Sequence, residues 1–199
     1  MHHAFERSKP NYDEAERLAL EARLCDFLYP VRKLSVKRLC ENYLSIKLKS
    51  TKGEITDVLL RAKPITEYLA LQTLSASDFD IRKIAVPIYG VGGWRIIGSM
   101  AYKNHPDLMA HLKQRYKKYG GFKDSLVSLH LYIHIMDFLK PDKRVIEDFK
   151  YFMKYIDLRN KVAHGFGTVT EDDLINEGLN SRTLCEALER VILGLYKKA

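Results

Sequence analysis

From Arg144 onward, Ile146, Phe149, Met153 and Ile156 recur at spacings of three and four, and the same line continues through Asn160 and Ala163 until Gly165 and Gly167 interrupt it. Apolar residues at this period form one face of an α-helix. The stretch from Arg144 to His164 contains no proline, so nothing in it removes a backbone donor or forces a kink. It commits this part of the chain to one long helix, with a glycine where a left-handed C-terminal residue is wanted. A chain built around such an element needs other amphipathic helices to cover its apolar face.

The remaining sequence supplies them. A helix is expected over Asn11 to Leu28, with Asp13, Glu14 and Glu16 near its positive end, and a second from about Val31 to Leu48. Ser50 to Gly53 reads as a turn. Two shorter helices are expected over Glu54 to Arg61 and Ile65 to Leu74, separated at Pro64. Between Ser75 and Tyr102 the glycines Gly90, Gly92, Gly93 and Gly98 displace the helical pattern, which predicts a long loop with a short hairpin. Helices resume over Pro106 to Tyr119 and Asp124 to Leu139, and Gly120 and Gly121 separate them. Thr170 with Asp173 is a capping-box pattern, and Ser181 is expected to cap a last helix through Leu195. The prediction is an all-α fold: a single helical bundle over residues 1–199 with a Gly-rich, less helical middle loop.

Of 199 residues, 46% are hydrophobic, and 33 Lys and Arg stand against 25 Asp and Glu for a net charge of +8. That balance excludes disorder and points to an anionic partner. The excess is even: sixteen basic against twelve acidic side chains in residues 1–100, and seventeen against thirteen in residues 101–199. Charge alone therefore does not place the partner's site. Cys25, Cys40 and Cys185 are odd in number and far apart, which fits a reducing cytoplasm. No apolar run reaches the roughly 18 residues of a membrane helix.

The end of the long helix carries the chemistry. In Arg159-Asn160-Lys161-Val162-Ala163-His164-Gly165, positions 160 and 164 fall about 40° apart around the helix and position 159 about 140° from 164. Three polar groups thus follow or flank an apolar stripe, where unpaired burial is costly. They meet a partner surface, bond to each other, or line a cleft. The alternative is a helix-terminal His, favoured as a cation by the helix dipole and followed by a C-terminal Gly.

Arg-Asn-Lys-Val-Ala-His-Gly after a long amphipathic helix, in a basic helical chain, resembles the R-x4-H signature of the HEPN superfamily. Within it the chain resembles the C-terminal HEPN domain of the ribonucleases that accompany type III CRISPR systems. The resemblance implies a metal-independent endoribonuclease that cuts single-stranded RNA where two R-x4-H motifs face each other across a homodimer, giving 2′,3′-cyclic phosphate and 5′-hydroxyl ends. It assigns Arg159, Asn160 and His164 to the site. Arg159 has the planar fork that clamps a phosphate, whereas Lys161 beside it offers a point charge. An imidazole such as that of His164, with a reference pKa near ~6.5, exchanges protons at neutral pH, and whether it serves as base, acid or positioning donor stays open. Relatives carry a Rossmann-like sensor domain for cyclic oligoadenylate, and this sequence has no strand–glycine–helix alternation to build one. Two other readings stand beside this one: a non-catalytic RNA-binding or dimerisation module, and the toxin of a HEPN–nucleotidyltransferase pair.

Further RNA contacts are expected from the acid-free stretch His111 to Lys123, where Lys113, Arg115, Lys117 and Lys118 interleave with Tyr116 and Tyr119. Basic charge with stacking rings suits single strands, and a solvated helix face is the plainer reading. Arg32 to Lys52 is a second basic span. Tyr89 to Gly98 fails the dinucleotide fingerprint because Arg95 stands where its third glycine belongs, which leaves a loop whose Trp94 and Arg95 are candidate substrate contacts. His130, His134 and Asp137 have metal-ligand spacing, but apolar neighbours and the lack of a fourth ligand argue for packing, so neither metal nor cofactor is expected.

Overall fold

The computed structural model describes residues 34–88, 93–165 and 167–196, and side chains at 39–88, 93–160 and 167–195. The helix expected over Asn11 to Leu28 and the glycines Gly90 and Gly92 lie outside these residues. The architecture is mainly helical, with eight α-helices and one small three-stranded sheet among the described residues. The helices are α1 (Leu34–Thr51), α2 (Ile55–Ser75), α3 (Gly98–Asn104), α4 (Pro106–Tyr116), α5 (Leu129–Leu139), α6 (Lys143–Gly165), α7 (Glu171–Asn176) and α8 (Ser181–Tyr196). None is long and apolar enough to cross a membrane. The described residues divide into two compact units, 34–66 with 154–196 and 67–153.

In the first unit, α1 packs on α8, burying Tyr43 and Ile46 of α1 and Leu184, Leu188 and Ile192 of α8. Gly53, at φ +72°, turns the chain between α1 and α2, and Lys49 pairs with both Glu54 and Asp57 across that turn. Pro64 does not divide the chain here: α2 is one helix through it. The proline removes the bond to the Leu60 carbonyl, but Pro64 and Leu60 both lie on the exposed side, where water can take the freed acceptor. On the inner side, the buried Thr66 hydroxyl donates to the carbonyls of Ala62 and Lys63, at 2.9 and 3.0 Å. The Thr170–Asp173 capping box opens α7 as expected. At α8 the cap is Asn180 instead of Ser181. The Asn180 Oδ1 accepts from the Thr183 N–H at 3.2 Å, while the Ser181 hydroxyl is engaged 2.8 Å from that of Ser50.

The second unit contains the non-helical part. Strands β1 (Ala85–Pro87) and β2 (Trp94–Ile96) form the expected hairpin, with Ala85 opposite Ile96. A third strand, β3 (Ser125–Leu126), pairs with β2, Arg95 opposite Leu126, where the helix predicted from Asp124 should have begun. Three hydrogen bonds, two of them between residues far apart in sequence, explain the delay. The Asp124 carboxylate accepts the Gly98 N–H at 2.7 Å, the Val127 N–H donates to the Trp94 carbonyl at 2.8 Å, and Ser128, in extended conformation, caps α5 through the Leu131 N–H. A Cβ on residue 98 would stand 3.1 Å from Asp124 Oδ1, so glycine lets that carboxylate approach. The Gly-rich middle also holds a helix that its composition hid, α3, and the helix expected to run to Tyr119 finishes as a 3-10 turn over Lys117–Tyr119. Leu108 and Leu112 of α4, Ile135 and Met136 of α5, and Phe149 and Phe152 of α6 are buried.

Candidate functional site

Helix α6 begins where the Asp142 carboxylate accepts the Arg144 N–H at 2.8 Å and remains helical to Gly165, as the spacing predicts. Its most buried face is Phe149, Phe152, Tyr155 and Ile156, whereas Ile146 and Met153 of the expected stripe are half-buried. Tyr155, completely enclosed, uses its hydroxyl twice on one residue: it accepts from the Asn180 N–H at 2.8 Å and donates to the Asn180 carbonyl at 2.5 Å. The turn that opens α8 is thereby tied to α6 one helical turn before Arg159.

Arg159 and Asn160 are both half-buried. The guanidinium Nη1 donates to Asn160 Oδ1 at 3.2 Å, so of the three fates open to these polar groups, bonding to each other is partly realised. The Arg159 Nε is enclosed yet has no hydrogen-bond partner among the described residues. A buried donor of this kind is costly unless an acceptor reaches it, and a phosphate or carboxylate oxygen is the acceptor a guanidinium prefers. The unbroken helix backbone puts positions 160 and 164 on one face. The side chains of Lys161 and His164 lie outside the described residues.

The same unit holds a cleft of about 730 Å³ lined by Tyr43, Lys47 and Ser50 of α1 and by Arg182, Glu189 and Arg190 of α8, among others. Tyr43 donates to Glu189 at 2.7 Å and Arg182 pairs with Glu186 at 3.0 Å. Cys185 also lines it, but burial pushes this thiol up to about 11 and that of Cys40 up to about 12, so neither is a nucleophile at neutral pH. Sequence reasoning missed this cleft. Its signal was the polar line at positions 43, 47 and 50 facing another at 182, 186 and 189, periodic within each helix but with no sequence link between the two.

The candidate RNA contacts other than Lys161 fall in the second unit. Lys113 and Arg115 lie on the exposed side of α4, and Lys117 and Lys118 on the 3-10 turn. Arg115 stands 3.6 Å from Asp137, which Lys150 approaches to 3.5 Å. Trp94 is half-buried beside a cleft of about 340 Å³ that includes Phe79 and Arg82, and Arg95 is exposed on the middle strand. Tyr116 is half-buried, its ring 5.5 Å from Phe122 and 5.4 Å from His134.

The histidines with metal-ligand spacing join that cluster. His130 and His134 stand 4.5 Å apart, while Leu129, Leu131, Ile133 and Ile135 between and beside them take the core and Asp137 turns to its two cations. Burial, and then His130, lower His134 from 6.5 to about 4. The unfolded chain therefore binds this proton more readily than the folded one. The stability due to neutral His134 is full above pH 6.5 and is lost as pH falls toward 4. His134→Asn is expected to reduce the drop in Tm between about pH 7 and about pH 5, read by thermal melts; an unchanged drop would assign the acid sensitivity elsewhere.

Among the described residues the longest helix, α6, carries Arg159 and position 164 in its last turns. Residues 28–199 match the family described as the Cas_Csm6 HEPN domain, and the chain belongs to that family. Among solved structures, Enterococcus italicus Csm6 bound to cyclic hexa-2′-fluoro-hexa-dAMP aligns with a TM-score of 0.58 at 18% identity. The alignment covers 99% of this chain and 47% of that one, so the chain spans about half the length of that protein and shares its fold over that half. No curated protein matches the chain.

Proposed function

We propose that this chain is a metal-independent endoribonuclease acting in the cytoplasm in type III CRISPR antiviral defence, cutting single-stranded RNA at a composite site formed by two copies of α6. The observation that carries the reading is the Arg159 guanidinium at the end of that helix, one nitrogen on Asn160 and its enclosed Nε without a partner among the described residues, five positions before His164 in a chain of the Csm6 HEPN family.

The chemistry asks for three services. The ribose 2′-oxygen attacks the adjacent phosphorus and gives up its proton, the P–O5′ bond breaks, and the departing 5′-oxygen takes a proton, leaving a 2′,3′-cyclic phosphate and a 5′-hydroxyl. Negative charge that builds on the phosphoryl oxygens is met by Arg159, whose fork offers parallel donors. His164 exchanges the proton, and Asn160 fixes the Arg159 geometry while sharing a helix face with position 164. One Arg and one His do not readily cover all three services. A two-fold axis at the helix end doubles both without new sequence. Cyclic oligoadenylate, the kind of ligand held by the Enterococcus italicus protein, belongs on this reading to a sensor domain and not to these helices.

The test is cleavage of a fluorescent single-stranded RNA in EDTA with end-group analysis. The expected result is cyclic-phosphate products, and none from the same RNA carrying a 2′-deoxyribose at the cut, since the nucleophile is then missing. Cleavage of the deoxy-substituted RNA at the same bond, or cleavage that EDTA stops, would overturn the mechanism.

A further inference from the structure

The outer face of α4, with the tyrosines on either side of it, remains unexplained by the cleavage chemistry. Leu108, Met109 and Leu112 bury the inner face of this helix. On the outer side, Tyr102 is 64% exposed and Tyr119 75% exposed, high values for rings of this size. Neither is unsupported. Lys113 Nζ stands 5.5 Å from the centre of the Tyr102 ring, and Tyr119 leans at 6.4 Å on Tyr116, which Phe122, His130 and His134 hold in turn. From Lys103 to Lys123 there are six basic side chains and one acid, Asp107. Two nearby carboxylates are already engaged, Asp137 by Arg115 and Lys150 and Asp124 by the Gly98 N–H.

We propose that this face is a second binding surface for single-stranded RNA, in which Tyr102 and Tyr119 stack on bases while Lys113, Lys117 and Lys118 meet phosphates. The proposal takes the identity of its ligand from the ribonuclease reading. Exposed, braced rings with cations beside them are what sequence-tolerant stacking requires, because every base has a π-face and every linkage a charge. Two residues thereby change roles from those their sequence positions suggest: Tyr116, expected to touch RNA, is the brace, and Tyr102, outside the basic stretch, is a contact. A lipid surface fits less well. An interfacial helix must insert an apolar face, and the apolar face of α4 is spent on the core.

The experiment uses the full chain and a fluorescent single-stranded RNA with 2′-O-methyl riboses, which offers no nucleophile and reports binding alone. Tyr102→Ala with Tyr119→Ala is expected to weaken binding by about tenfold or more, and Phe at both positions to retain it. Lys113→Ala with Lys117→Ala is expected to lower the slope of log affinity against log salt by about 0.7 for each phosphate that a removed lysine had neutralised. All four side chains are exposed, and thermal melts check that the variants stay folded. Wild-type affinity in the tyrosine-to-alanine variant overturns the proposal. So does binding to phosphatidylcholine–phosphatidylserine vesicles with none to RNA, or a dimer that these substitutions dissociate. Tyrosine-dependent binding without cleavage of unmodified RNA would keep this surface and remove the nuclease reading; cleavage with tyrosine-independent binding would do the reverse.

Discussion

Replacing His164 by Ala is expected to slow cleavage of single-stranded RNA by about 10²- to 10⁴-fold, the range that a positioned proton donor or acceptor contributes. Arg159→Ala should cost a comparable factor, since an arginine that meets charge developing on phosphate acts mainly in the transition state. Arg159→Lys is the sharper variant. It keeps the charge but removes the planar fork and the Nε, the atom with no partner among the described residues in its enclosed position, so it should recover little of the loss. Groups that act as a unit are not additive, and the Arg159→Ala, His164→Ala double variant should therefore be only slightly slower than either single one. The rates are measured in EDTA with each variant matched to the wild type in Tm and oligomeric state. Wild-type cleavage by His164→Ala would remove this residue from the chemistry. Full rescue by Lys at position 159 would reduce Arg159 to a point charge.

The elements that could be read from sequence are those fixed by local chemistry. The course of α6 follows from a repeat of three and four, and the opening of α7 from a capping box whose two partners lie three residues apart. Pro64 misled because a proline breaks a helix only when the freed carbonyl has no other recourse, and its exposure on α2 depends on tertiary packing. β3 and the late start of α5 depend on Asp124 meeting Gly98, 26 positions away, and no local pattern encodes that. The site divides in the same way. The spacing of Arg159, Asn160 and His164 and the family they belong to were legible. The bond between Arg159 and Asn160, the enclosed Nε with no partner among the described residues and the packing of Tyr116 in an aromatic cluster needed coordinates, because a side chain's rotamer is set by neighbours that the local sequence does not name.

Tyr155→Phe carries the largest stability effect expected from a change of one atom. The phenyl ring keeps the packing of a completely buried side chain, so the variant isolates the hydroxyl. That oxygen serves both backbone groups of Asn180, the N–H at 2.8 Å and the carbonyl at 2.5 Å, and removing it leaves a donor and an acceptor unpaired at the opening of α8. At roughly 1–3 kcal/mol for each of the two unsatisfied groups, a loss of about 2–6 kcal/mol is expected, which in a chain of this length lowers Tm by about 4–24 °C. Tyr43→Phe is the contrast. Its hydroxyl bonds a half-buried carboxylate, Glu189, at 2.7 Å, and water lining the cleft can replace it, so about 1 kcal/mol is expected. Well below its Tm, the Tyr155→Phe protein should still cut RNA at close to the wild-type rate, because the hydroxyl holds the Asn180 backbone at the opening of α8. A Tm within about 2 °C of wild type would show that the Asn180 backbone finds other partners. Lost cleavage at unchanged Tm would instead move Tyr155 into the catalytic machinery, and the tie between α6 and α8 would then be a functional contact first and a structural one second.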